Sequence, residues 1–328
     1  MTPKWLHLPV YESLSHCPNA FRSLTGMNPA EFESLLLDFV AAQERFRHRT
    51  ATTRQNQPRQ RAVGAGRPFR HDDRHRLLMA LVWLRIYPTY ELLGFFFALH
   101  KRNAQLNVRS VLEVLDTLPD FPFDRPGHQR RKLSTAAQVM DAFPAVRLVI
   151  DAKEQRVQRP QGDYDAQKPY YSGKKKTHTL KSQIGVGPDG LIESVSKSVP
   201  GGATHDVTLL RQTGLLGCLA DGEGAMMDKG YDGIGKDYPD VPVVMPFKAR
   251  RNHRLTEEQK AFNRVVARYR IVVEHALAQL DRFTVLRQVF RGRHWRHDRA
   301  HSQVVRVVAW LVNRRIGVCP LKTYVSAA

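Results

Sequence analysis

The sequence predicts an α/β domain preceded by an all-helical region, and three observations carry that prediction. Apolar residues recur at helical spacing as far as Leu115, then gather from Val146 into short strand-like runs. A strand and a hairpin open this second part, after which strands alternate with helices, the pattern of an α/β sheet. Upstream, a short helix, a polar turn and a second helix between Thr89 and Leu115 have the helix-turn-helix arrangement. The expected division is an N-terminal helix and basic linker over 1–71, a helix-turn-helix region over 72–133, and the α/β domain over 134–328.

Residues 1 to 25 read as an irregular leader. Asn28 then caps a helix that starts at Pro29, with Glu31 placed to reach back in a capping box. Phe32, Leu35, Leu36, Phe39 and Val40 form its apolar face. From Arg49 to Arg70 the chain is rich in Thr, Gln, Arg, Gly and Pro. It reads as a basic flexible arm of the kind that tracks phosphates or enters a minor groove. A second helix runs from Asp72 to Ile86 on Leu77, Leu78, Leu81, Val82 and Leu84, and Pro88 stops it. In the helix-turn-helix stretch, His100, Lys101, Arg102 and Asn103 form the turn. The second helix would present Gln105, Asn107, Arg109 and Ser110 to a major groove. A plain helical hairpin has the same pattern; the basic turn favours DNA.

Pro119 to Arg131 reads as a boundary and Ser134–Phe143 as a short helix. Strands are expected at Val146–Ile150, Thr177–Val186, Leu191–Val199, Gly224–Met227 and Val243–Phe247. Helices are expected at Val207–Leu216, Thr256–Phe283 and Ala300–Ile316, the second capped by Thr256 with Gln259. Gly185-Val-Gly187-Pro-Asp-Gly190 has the letters of a dinucleotide fingerprint, but no helix follows and Pro188-Asp189-Gly190 is turn chemistry.

A formal net charge of +20, dominated by arginine in several clusters, points to a polyanionic partner, nucleic acid above all, which the helix-turn-helix pattern narrows to double-stranded DNA. No apolar run is long enough for a membrane helix, and the N-terminus lacks a secretory pattern. Three scattered cysteines, Cys17, Cys218 and Cys319, suit a reducing compartment such as a cytoplasm and offer no metal cluster. His294, His297 and His301 are spaced along a helix near Trp295; a basic DNA-facing surface suits them better than a zinc site. Lys174, Lys175 and Lys176 precede a strand, where they guard an edge or contact phosphate.

Two hydrophobic runs each deliver an aspartate: Asp151 after Val146–Ile150 and Asp228 after Gly224–Met227. A carboxylate at the end of such a strand belongs in a cleft, where open α/β sheets place their sites. Glu274 lies on the predicted helix about 120° from the centre of its stripe of Phe262, Val266, Tyr269, Val273, Ala276 and Leu280, at the border of buried and exposed. Arg270 precedes it by one turn, so by pattern alone the two are equally a metal-and-phosphate pair or a surface ion pair. Asp206, beside His205, is an alternative second acid or a helix cap; Asp228 is preferred because a strand delivers it.

With these residues the chain resembles DDE transposases of the bacterial insertion sequence 5 family, related to Harbinger elements. The matching pieces are Val149-Ile-Asp151, Gly201-Gly-Ala-Thr-His205-Asp206, Met227-Asp228-Lys-Gly-Tyr231-Asp-Gly233 and Arg270-Ile-Val-Val-Glu274. The resemblance implies a ribonuclease-H-like fold, a triad of Asp151, Asp228 and Glu274, and two magnesium ions for which manganese substitutes. It also implies cleavage of the element's ends, joining to target DNA by 3′-hydroxyl attack, and a homodimer or higher assembly on DNA. Arg270 would hold DNA near the scissile phosphate. Ala267 stands where the family has a tyrosine, and Asp281 where it has a basic residue. A nuclease that cuts without joining, or an inactive DNA-binding regulator, would share much of this pattern.

Overall fold

The computed structural model describes residues 10–52, 69–121, 143, 145–249, 254–292 and 297–318. The chain divides into two compact units: Met1–Pro119 together with Arg282–Arg287, and Asp120–Asp281 together with Gln288–Ala328. The expected arm falls mostly in residues 53–68, and the expected helix Ser134–Phe143 mostly in 134–142, outside the described residues.

In the helical unit, the stretch expected to be an irregular leader holds two helices, α1 (Val10–Ser15) and α2 (Pro18–Thr25). Pro18 pre-sets the first turn of α2, and Gly26, at φ +87°, ends it. Phe21 is fully buried, and the Tyr11 ring packs on Phe32 at 5.3 Å between centroids. Both helices are too short to leave a periodic signature. Helix α3 (Pro29–Thr52) opens with the expected capping box: Glu31 N–H donates to Asn28 Oδ1 at 2.9 Å, and Asn28 N–H to Glu31 Oε2 at 2.7 Å. Val40 faces outward, against expectation, and Ala42 and Gln43 take the buried positions.

Helix α4 (Asp73–Ile86) is capped by Asp72, which accepts from His75 N–H at 2.9 Å. In its first turn Arg76 is buried and donates to Gln43, Asp73, Asn107 and Ser110 at 2.7–3.2 Å. One guanidinium thus ties α3 and α4 to α6 (Lys101–Leu115), which follows the short helix α5 (Tyr90–Phe96). A Cβ on Gly94 would lie 2.5 Å from the Leu99 carbonyl, so α5 meets the turn at a distance only glycine allows. Helix α6 begins earlier than expected: His100 caps it, and Lys101 and Arg102 sit in its first turn rather than in the connection. The segment Arg282–Arg287 joins this unit through Arg85, whose Nη1 donates to the Arg282 carbonyl at 2.6 Å, with Val285 and Leu286 buried.

The second unit is built on one seven-stranded mixed sheet. Its strands are β1 (Val146–Arg156), β2 (Tyr171–Ser172), β3 (Thr177–Val186), β4 (Ile192–Val195), β5 (Val199–Pro200), β6 (Gly224–Met227) and β7 (Val243–Val244). The order is β2-β3-β1-β6-β7, with β4 and β5 also paired to β3. β1 is antiparallel to β3 and parallel to β6, and β6 is parallel to β7. The strand expected over Leu191–Val199 is interrupted because Ser196 and Ser198 turn inward: Ser196 Oγ accepts from Gln183 N–H at 2.8 Å, and Ser198 Oγ meets His301 Nδ1 at 2.6 Å.

Strand alternation separates the helices. Leu148 and Ile150 pack with Leu210 of α7 (Asp206–Thr213) and with Tyr231 on one face. Asp151 and Lys153 point to the other, toward α8 (Glu257–Asp281). Helix α8 starts with the predicted Thr256–Gln259 capping box, bonded at 3.1 and 3.2 Å. On the same side lies α9 (His297–Val318). His301 of this helix is buried and bridges Ser198 Oγ to Gln155 Oε1, the latter at 2.9 Å. It is part of the core rather than of a DNA-facing surface; His294 lies outside the described residues.

Candidate active site

Asp151 is not the last residue of its strand, as the hydrophobic run suggested. β1 continues to Arg156, and Asp151 pairs with Ile184 of β3. What ends at this level is the parallel pairing with β6, whose last matched pair is Ile150 and Met227. Asp151 and Asp228 each follow a member of that pair, so the sheet places the two acids side by side.

Their environments differ. Asp151 is about three-quarters buried: Oδ1 accepts from Ala152 N–H at 2.7 Å, and Oδ2 lies 3.5 Å from Arg270 Nη2. Burial pushes its carboxyl above the usual range; the Ala152 N–H and Arg270 oppose this, and the charges of Asp228 and Asp206 add to it. Asp228 caps the tight turn Lys229–Tyr231, with Oδ1 accepting from Gly230 N–H at 2.7 Å. A Cβ on Gly230 would sit 2.9 Å from that oxygen and 3.3 Å from Asp206 Oδ2. A side chain here would press on the Asp228 carboxylate and crowd that of Asp206.

Asp206 is the first residue of α7, where the helix dipole favours a negative charge. Its Oδ1 lies 2.9 Å from Lys181 Nζ, which also donates to the Thr204 carbonyl at 2.9 Å. His205 occupies the cap position without a side-chain capping bond and is exposed. Tyr231, which the sequence reading left unassigned beyond its place in the matching motif, is fully buried beneath this group.

Glu274 is exposed on α8. Residues 270, 274 and 281 share one helical face, and both outer members touch β1: Arg270 at Asp151, and Asp281 at Lys153 at 2.5 Å. The face that carries Glu274 is therefore held along the Asp151 side of β1, one turn from Arg270. Arg270 Nε is buried without a hydrogen-bond partner among the described residues, so this guanidinium is only partly engaged.

Among the described residues, no three His, Cys, Asp or Glu side chains are grouped closely enough to enclose a metal ion. The donors present nevertheless fit a hard divalent cation. They are all carboxylate oxygens, and burial, with a smaller push from the charges of Asp228 and Asp206, raises the proton affinity of Asp151, which a cation would relieve. Magnesium is commonly held by one or two carboxylates, with waters and phosphate oxygens completing the shell. Asp151 and Asp228 would hold such an ion.

The remaining sequence candidates are dispersed. Lys174, Lys175 and Lys176 are exposed at the tip between β2 and β3. In the helical unit, Lys101, Arg102 and Arg109 are exposed on α6 with Gln105 between them, and Arg109 pairs with Glu113 at 2.9 Å. Asn107 does not join them. It is buried, its Oδ1 accepting from Arg76 Nε at 3.2 Å and its Nδ2 donating to the Asn103 carbonyl, so it cannot reach a base.

Residues 150–313, half of the chain, match the family described as DDE superfamily endonuclease. The chain belongs to that family. The match begins one residue before Asp151 and runs past Glu274 into α9, so it contains the whole acidic group of this endonuclease domain. The chain is also similar to a probable transposase for insertion sequence element IS702 from Microchaete diplosiphon. The two are 28% identical over 223 residues, covering 67% of this chain and 74% of the relative. No solved structure matches. Among the described residues, no helix is long and apolar enough to cross a membrane.

Proposed function

We propose that the protein is a DNA transposase of the insertion sequence 5 type, with a ribonuclease-H-like catalytic unit and an N-terminal helix-turn-helix region. It binds the terminal inverted repeats of its own element, hydrolyses the phosphodiester bonds at the ends and joins the 3′-hydroxyls to target DNA. The observation that carries this reading is the register of β1 and β6, which sets Asp151 and Asp228 beside each other one residue beyond the pair Ile150 and Met227. It is supported by membership of the DDE superfamily endonucleases and by similarity to a probable transposase.

In this reading Asp151, Asp228 and Glu274 would hold two divalent cations, magnesium or manganese. When bound, these supply positive charge at the attacking and leaving oxygens of an in-line displacement. Arg270 leaves its loose contact with Asp151 and takes a non-bridging phosphate oxygen, giving its guanidinium a partner better matched to its fork. Lys181 holds Asp206 in place, and Asp206 with Asp228 frames Gly230, leaving room for the DNA backbone beside the acids. Lys174, Lys175 and Lys176 contact flanking phosphates, and the exposed face of α6 carrying Arg102, Gln105 and Arg109 meets the terminal repeat. The protein works as a homodimer or larger assembly on two DNA ends in the bacterial cytoplasm.

The deciding experiment is a cleavage and joining assay on labelled DNA carrying the element's ends, with magnesium present or chelated. Wild type is expected to cut and join only with the metal, and Asp228→Ala and Glu274→Gln to bind ends without cutting. Cleavage that survives Glu274→Gln would remove it from the triad. Binding with no cutting by wild type would turn the reading to a DNA-binding regulator.

A further inference from the structure

Tyr231 presents an unusual arrangement. Its side chain is fully buried, packed with Leu148, Ile150, Leu210 and Met227, yet its hydroxyl has no hydrogen-bond partner among the described residues. Leaving a buried hydroxyl unsatisfied is costly, and native structures rarely do so without a reason. The charges around this hydroxyl are those of the acidic group: Asp206, Asp151 and Asp228, in that order, with Arg270 opposing them. The tight turn Lys229–Tyr231 that Asp228 caps leads directly into it, so Tyr231 and the Asp228 carboxylate are fixed by the same three residues. Asp206 approaches the same turn from α7, its Oδ2 3.3 Å from where a Cβ on Gly230 would stand.

We infer that Tyr231 is a positioning residue for the divalent cation, its hydroxyl donating to the Asp228 carboxylate once that carboxylate turns to hold the ion. This rests on the acid-site reading above and deepens it. A phenol carries its proton at neutral pH, so the hydroxyl is available as a donor. Without the ion the hydroxyl lacks its partner; with the ion it gains one, so its hydrogen bond contributes to affinity rather than to the metal-free fold. Groups that orient metal-binding carboxylates in this way typically change affinity by about 10–100-fold when removed.

The test uses the full chain, wild type and two variants, Tyr231→Phe and Asp228→Asn. Manganese binding is followed by the paramagnetic resonance signal of the free ion, and thermal unfolding is measured in chelator. Tyr231→Phe is expected to bind manganese about tenfold more weakly, while melting in chelator at the wild-type temperature or above it, because only an unpaired hydroxyl has been removed. Wild-type manganese affinity in Tyr231→Phe would overturn the inference. So would a lower melting temperature in chelator, which would mean that the hydroxyl serves the fold. Asp228→Asn is expected to lose manganese binding. Full binding by that variant would instead overturn the acid-site reading on which the inference rests, whatever Tyr231→Phe does.

Discussion

Two acids on the same sheet, Glu193 of β4 and Asp151 of β1, are both pushed toward protonation by burial, but they are held in different ways. The Glu193 side chain is 4% exposed and meets Arg147 at 2.6 Å; the Asp151 side chain is 24% exposed and meets Arg270 at 3.5 Å. Burial moves Glu193 up to about 7, Arg147 opposes this, and Asp189 and Glu223 push it further. The hairpin closes over it: a Cβ on Gly187 would lie 2.5 Å from Glu193 Oε1. The more perturbed acid is thus sealed around one partner. The less enclosed one stands beside two other carboxylates with an arginine that is only loosely engaged. A shifted proton affinity marks burial, whereas a functional site also needs room for something to arrive.

The largest expected contrast is in catalysis. Asp151→Asn should lower magnesium-dependent end cleavage about a thousandfold or more, the scale of losing charge stabilisation at the reacting phosphate. Glu193→Gln should cut at close to the wild-type rate in the same assay. An equal loss in both would erase the distinction between the closed pair and the open site.

The next contrast is in stability against pH. Glu193 has its folded-state affinity for protons raised from 4.5 to about 7. Below that window both folded and unfolded chains carry the proton; within it only the folded chain does. This contribution to stability is therefore full below about 4.5 and is lost as pH rises through about 7. Wild type should melt progressively lower across the window, and Glu193→Gln should flatten the profile. At about 2–4 °C per kcal/mol for a protein of this size, the difference is readable by calorimetry. Identical profiles would mean that Arg147 holds Glu193 ionised throughout.

The smallest effect concerns the exposed cations. Arg102→Ala and Arg109→Ala should each reduce the slope of log affinity against log salt for end binding by about 1. An unchanged slope would take α6 off the DNA.

What the sequence made visible was mostly local. Both capping boxes, Asn28 with Glu31 and Thr256 with Gln259, were readable because their partners lie three residues apart. Strands β3 and β6 were bounded correctly by apolar runs between turn residues. The continuation of β1 past Asp151 was hidden because Asp-Ala-Lys-Glu-Gln-Arg reads as a loop, although β3 pairs with every residue of it. Asn107 and His301 looked like surface polar groups because their partners are distant in sequence: Arg76 for the first, Ser198 and Gln155 for the second. Asp151 and Asp228 could be named from strand patterns, whereas only the sheet register put them side by side. Tyr231 carried a signal in its place three residues after Asp228, but the unpaired hydroxyl is a property of packing.

The segment Arg282–Arg287 has a consequence for synthesis. It belongs to the helical unit, yet it is encoded after α8. When Pro119 leaves the ribosome, α4 still lacks the chain that covers it through Val285 and Leu286. At about 5–20 residues per second, the missing piece follows on the order of ten to thirty seconds later. The amino-terminal third therefore waits for a segment near the carboxy-terminal end before it can finish folding. A truncation at residue 119 would leave it permanently in that waiting state, with an apolar face open to aggregation.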